Sequence, residues 1–330
     1  MSPHTPALYP WLQSAWHTLD THFRTDRIPH ALLIHGAAGL GKARLADLFA
    51  SKLLCERPGE FACGVCAPCR LYEAGSHPDL KRAEPEEPGK AIKVDVIRKL
   101  LVDLSLKPHY HGYRTVIIDP AHRMNISSSN ALLKTLEEPP ERLVFLLITS
   151  QPADLPATIL SRCQKLSIQR PTHVEAGDWL SSVRPGCPAG VLLSAAKGAP
   201  LKALELVDSD VVERRRAAFE GFYGVCAGRE DPVVLAERWH APSHEDLLEW
   251  ILTWVADLMR IRAVSSGVNL ANPDLAELLG KLAIKIDPDA LAMFWDNLLQ
   301  HRHALAGQAN RQLVWEELLI QAAALRSSFR

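Results

Sequence analysis

"ALLIHGAAGLGKA", Ala31 to Ala43, carries the pattern on which the fold of this chain turns. Ala31 to Gly36 is a short apolar run of strand type, and the residues after it follow the spacing Gly36-x-x-x-x-Gly41-Lys42 of a phosphate-binding loop. From Ala43 to Cys55, "ARLADLFASKLLC" continues with apolar residues at helical spacing. Strand, Gly-rich loop and helix therefore arrive in the order such a loop requires. The bland alternative is a tight strand-to-helix turn. The backbone of Gly36, Gly39 and Gly41 and the Lys42 ammonium, set at a helix N-terminus, form a site suited to anionic phosphate oxygens. The next position departs from the pattern. Ala43 stands where Ser or Thr would offer a hydroxyl to Mg²⁺.

Working outward, "VDVIRKLLVDLSL" (Val94 to Leu106) reads as an amphipathic helix and "RTVIIDP" (Arg114 to Pro120) as a buried strand. "SSSNALLKTLEEPP" (Ser127 to Pro140) reads as a helix closed by prolines, "LVFLLITS" (Leu143 to Ser150) as a second buried strand, "LPATILSRC" (Leu155 to Cys163) as a helix and "QKLSI" (Gln164 to Ile168) as a strand. Continuous apolar strands separated by helices predict an α/β module with a parallel sheet covered on both faces. From Pro171 onward strand signals cease, and the chain reads as Ala- and Leu-rich helices broken at Val183–Gly190, Ala227–Pro232 and Asn269–Asp274. The expected domains are 1–170, a small helical domain over 171–208 and a larger helical one over 209–330.

The second nucleotide-site element weakens the case for hydrolysis. Asp119 ends the apolar "VII" strand, where a carboxylate would help hold Mg²⁺, but Pro120 occupies the position at which a Glu commonly activates water. Proline has no group to act as a general base. The hydroxyl and the base are thus missing while the glycines remain, which favours a retired phosphate site kept as scaffold.

Seven cysteines would be an odd disulfide framework in a reducing compartment, and four of them, Cys55, Cys63, Cys66 and Cys69, form C-x7-C-x2-C-x2-C. Thiolates so spaced can surround a single ion, and four sulfurs complete a tetrahedral structural Zn²⁺ site. Scattered buried cysteines or an iron–sulfur cluster are the alternatives. Cys163, Cys187 and Cys226 are isolated and read as small apolar residues.

With 330 residues, 47% of them hydrophobic, and a net charge of -1, the chain has the composition of a soluble protein of two or three domains. The neutral balance argues against a free-standing nucleic-acid binder, so DNA contact is expected to be shared with partners. No apolar run reaches membrane-spanning length, and "MSPHTPALYPWL" lacks the basic flank and apolar stretch of a signal peptide. The expected compartment is the cytoplasm.

Together, "RIPHALLIHGAAGLGK" (Arg27 to Lys42), the four-cysteine insertion, "NALLKTLEEPP" (Asn130 to Pro140) and "LPATILSRC" resemble bacterial clamp-loader subunits of the AAA+ family. "YPWL" (Tyr9 to Leu12) fits the same resemblance. The likeness covers about the first half of the chain at motif level. It implies an AAA+ module, a small helical lid and a helical collar that assembles a hetero-pentamer. Its implied partners are gamma/tau-type motor subunits, a delta subunit, the sliding clamp and primer-template DNA.

Because motor subunits carry a loop hydroxyl and an acidic strand end, Ala43 and Pro120 mark this chain as a non-motor member. ATP binding is then doubtful and hydrolysis not expected. The resemblance also makes Arg162 an arginine finger that completes a neighbouring subunit's ATP site, positioned by Ser161 and Cys163. Two other readings stay open: an active clamp-loader-type ATPase, and a zinc-dependent nucleic-acid-binding module. Against the latter, the cysteine window holds only Arg57 and Arg70 as cations beside Glu56 and Glu60.

Overall fold

The computed structural model describes residues 8–87, 89–105, 108–110, 112–239, 246–264, 270–306 and 310–326. Residues 1–7, Leu106 and Asn269 of the segments read above lie outside them. The chain divides into two compact units, the first ending at Pro171 and the second beginning at Thr172, where the strand signals stop.

The first unit is built on five parallel strands, β1 (Ala31–His35), β2 (Leu80–Ala83), β3 (Arg114–Ile118), β4 (Leu143–Thr149) and β5 (Gln164–Ser167), in the order β2-β3-β4-β1-β5. Every residue of β3 and β4 is buried, which explains why 116–118 and 143–148 are continuously apolar rather than alternating. Register pairs Leu33 with Leu147 and Val116 with Phe145. The helices are α1 (Gln13–Arg24), α2 (Lys42–Leu54), α3 (Ala67–Glu73), α4 (Val94–Ser105), α5 (Ile126–Glu137) and α6 (Ala157–Leu160). Leu33, Phe145 and Leu147 share one core with Ile97 and Leu100 of α4 and Leu132 and Leu136 of α5. Because the β1-to-β2 connection steps over two strands, the carboxyl end of β1 opens on a crevice beside those of β3 and β4, where sheets of this kind bind ligands. This is the expected α/β P-loop module.

Two helices depart most from the sequence reading. The helix expected over Leu155–Cys163 spans only Ala157–Leu160: Pro156 is extended at its start, and Arg162 N–H closes on Ile159 O at 3.1 Å, so Ser161–Cys163 form the turn into β5. Helix α5 ends at Glu137, because Glu138 precedes Pro139 and is driven out of the helical region to φ -125°. The Asn125 side chain caps its other end, accepting from Ser128 N–H at 2.8 Å.

Lys52 of α2 ties the cysteine segment to this unit. Its ammonium is fully buried, forms an ion pair with Asp20 of α1, and donates to Gly59 O at 2.7 Å and Glu60 O at 2.8 Å. Trp16 of α1 stacks on Phe61 in the same loop, ring centroids 4.7 Å apart. Lys52→Met leaves Asp20 with Arg24 alone, at 2.9 Å, and strips the Gly59 and Glu60 carbonyls of their donor, at an expected cost of about 1–3 kcal/mol. Amide hydrogen exchange should show lost protection in α1 and α2; unchanged protection would contradict this anchoring role.

The second unit is helical: α7 (His173–Val183), α8 (Ala189–Ala195), α9 (Pro200–Glu205), α10 (Val211–Cys226), α11 (Pro232–Trp239), α12 (Leu247–Ala263), α13 (Ala276–Ala283), α14 (Pro288–Ala306) and α15 (Arg311–Ala323). One apolar cluster joins Leu180 and Leu193 to Phe219, Trp254, Leu298 and Trp315. Arg215 is buried there at 2% exposure because its guanidinium pairs with Asp274 at 2.6 Å and donates to Asn272 at 2.8 Å. Among the described residues no helix is long and apolar enough to cross a membrane.

Candidate functional site

Three constellations lie in the first unit. The phosphate loop links β1 to α2. Gly36 passes so close to β5 that a Cβ there would fall 2.5 Å from Ile168 O, and Gly41, at φ +79°, would drive a Cβ to 2.7 Å from the Tyr9 ring. Both positions therefore require glycine. Tyr9 stacks on Trp11 with centroids 5.1 Å apart, and Trp11 Nε1 donates to Leu40 O at 2.9 Å, so "YPW" is fastened to the loop itself.

Lys42 is 7% exposed and its Nζ donates to Ala37 O at 2.7 Å. Burial lowers its pKa, opposed by the nearby Asp119 carboxylate. Burial raises the Asp119 pKa, with Glu84 adding to the rise and Lys42 opposing it. Lys42 and Asp119 therefore share one partly desolvated crevice, as the sequence pattern requires. Ala43 follows in α2, and Pro120 begins the turn Ala121–Arg123.

Sequence reasoning missed two polar groups at the same strand ends. His122 Nδ1 lies 3.0 Å from Thr149 Oγ1, which also accepts from Gln151 N–H at 3.0 Å. Burial, followed by the Arg123 charge, lowers the His122 pKa. The available signal was the polar Thr149 closing an otherwise apolar strand.

The four cysteines converge. Cys55 ends α2, Cys66 caps α3, Cys69 lies within α3 and Cys63 lies between them. Their sulfurs all fall within 4.8 Å of one another, with Cys55–Cys66 and Cys63–Cys69 both at 3.9 Å. Four thiolates about 2.3 Å from a tetrahedral Zn²⁺ would stand about 3.8 Å apart, so the donor set fits that ion and fills its coordination sphere. Cys63 N–H donates to Cys55 Sγ at 3.3 Å and Cys66 N–H to Cys63 Sγ at 3.4 Å. The Val65 N–H first, and the Cys66 N–H after it, hold the Cys63 thiol down at about 6, while burial pushes Cys55 and Cys69 up.

Arg162 projects from the turn after α6. Its Nη1 donates to Thr158 O at 3.0 Å and Ser161 Oγ at 3.3 Å, and its Nη2 pairs with Glu137. Ser161 thus touches the guanidinium. Cys163 is buried in the core beside it, its thiol pushed up to about 11 by desolvation.

The family model for "DNA polymerase III, delta subunit" matches residues 11–172, and that for "DNA polymerase III, delta subunit, C terminal" matches 209–323. DNA polymerase III subunit delta' of Pseudomonas aeruginosa is 36% identical over 96% of this chain and 98% of its own length. This chain belongs to the DNA polymerase III delta' family. The delta' subunit of Escherichia coli K12 is 31% identical over 95% of this chain and 94% of its own. Among solved structures, a DNA polymerase III gamma subunit-related protein from Thermotoga maritima aligns over 94% of this chain and 99% of its own at 17% identity and a TM-score of 0.42.

Proposed function

We propose that this delta' family member is a non-hydrolysing clamp-loader subunit of the DNA polymerase III holoenzyme. In the bacterial cytoplasm it helps place the sliding clamp on primed DNA. It assembles with gamma/tau-type motor subunits and a delta subunit in a hetero-pentamer, through a lid over 171–208 and a collar over 209–330. The observation that carries this reading is a phosphate loop whose glycines and lysine are in place while Ala43 and Pro120 occupy the positions of the metal hydroxyl and the water activator. Chemistry lost in cis is supplied in trans: Arg162, partly exposed on the turn before β5, reaches the γ-phosphate bound to a neighbour and stabilises the charge developing there. Cys55, Cys63, Cys66 and Cys69 hold a structural Zn²⁺ that fixes the insertion between α2 and α3.

The purified chain is expected to show no ATP turnover above background, and Ala43→Thr alone should create none, because water activation would still be missing. Robust hydrolysis that disappears on Lys42→Ala would establish an active ATPase instead. Tight DNA binding by the isolated chain with a steep salt slope would establish a nucleic-acid-binding module.

A further inference from the structure

We infer that Glu137 is a positioning residue for Arg162, holding the guanidinium so that its remaining donors face outward; the inference rests on the in-trans reading of that arginine. The two residues come from separate motifs, "TLEEPP" and "SRC", and meet because α5 ends at Glu137 beside the turn that follows α6. An arginine has five N–H donors in one plane. Here Nη1 is occupied by Thr158 O and Ser161 Oγ, and Nη2 gives one hydrogen to Glu137. Among the described residues these are its partners, so the Nε hydrogen and the second Nη2 hydrogen remain for an outside acceptor. Anchors on two different nitrogens fix the plane of the group, and the free hydrogens can then meet phosphate oxygens without any internal bond breaking.

The placement of Glu137 has no evident stabilising purpose. A carboxylate in the last turn opposes the helix dipole, and Glu138 beside it repeats the mismatch. The pair is also open to solvent, Arg162 partly at 32% and Glu137 at 50%, and ion pairs near the surface contribute little to stability. An acid kept where local rules disfavour it, aimed at the one arginine assigned a role in chemistry, is the pattern of a functional contact. Its own position is firm: Leu132 and Leu136 of the same helix are buried in the core.

The test uses the reconstituted clamp-loader assembly with Glu137→Ala, Glu137→Gln, Arg162→Ala and the double variant Glu137→Ala/Arg162→Ala. Loss of alignment should lower the kcat of DNA- and clamp-stimulated ATP turnover roughly tenfold in Glu137→Ala, because small displacements of a catalytic group are costly. KM for ATP should stay unchanged, since the nucleotide is held by the neighbour. Glu137→Gln, which keeps an acceptor oxygen, should recover most of the rate, and the double variant should be no slower than Arg162→Ala alone. Wild-type kcat in Glu137→Ala where Arg162→Ala is slow would overturn the positioning role and leave the arginine finger standing, as would losses that multiply in the double variant. Wild-type turnover in Arg162→Ala would overturn both.

Discussion

Cys66→Ser is expected to release the metal from the insertion between α2 and α3 and to unfold that segment while the sheet survives. Purified, reduced wild-type protein should contain about one zinc per chain and the variant close to none. Cys66 sits at the N-terminus of α3 and is 4% exposed; serine there keeps the backbone N–H that meets the Cys63 sulfur and is a good N-cap, so what the variant removes is one of the four thiolates. The free energy of binding structural zinc, about 10–16 kcal/mol in small zinc modules, is there the folding energy of the segment that binds it. The damage should stay local, because the cysteine cluster is separate from the core built on β1, β3 and β4. Limited proteolysis should therefore cut within 56–65 first. Wild-type protein free of zinc would refute the assignment, and iron in its place would point to an iron–sulfur cluster.

How much of this was legible in the sequence depends on where each residue's constraint comes from. β1, β3 and β4 were readable because both faces are buried, so each is apolar at successive positions. β2, "LKRA", lies at a sheet edge and is mostly not buried; its strand character comes from pairing with β3, which no local pattern records. The cysteine site was readable from spacing alone, since α2 and the turn into α3 set the geometry over a few residues. Arg162 was readable only by resemblance, and its helix was drawn too long because Pro156 and the tight closure at Arg162 act at both ends of a four-residue segment. Glu137 and Lys52 escaped notice for a shared reason. Each is a charged residue in a helical pattern, where the ordinary reading is a solvated side chain, and each takes its role from a partner 25 or 32 residues away.

Arg162→Ala should produce a loss of another kind, in rate rather than structure. The guanidinium lies at the surface and its contacts are to Thr158, Ser161 and Glu137, so the variant should fold, keep its zinc and assemble. In a phosphoryl-transfer site an arginine finger contributes on the order of 10³–10⁵ in rate, so turnover at the neighbour's site should fall by at least about 10³. Arg162→Lys should recover only part of this, because an ammonium offers a point charge without the planar two-pronged donor geometry. A salt bridge with a purely structural role would show the reverse, with stability or assembly lost and chemistry intact. The decisive measurement is single-turnover ATP hydrolysis, stimulated by clamp and primed DNA, in an assembly carrying Arg162→Ala whose subunit composition has been verified by sedimentation. An arginine acting in trans predicts an intact assembly with slowed hydrolysis and impaired clamp loading; an intact assembly that hydrolyses and loads at the wild-type rate would contradict it.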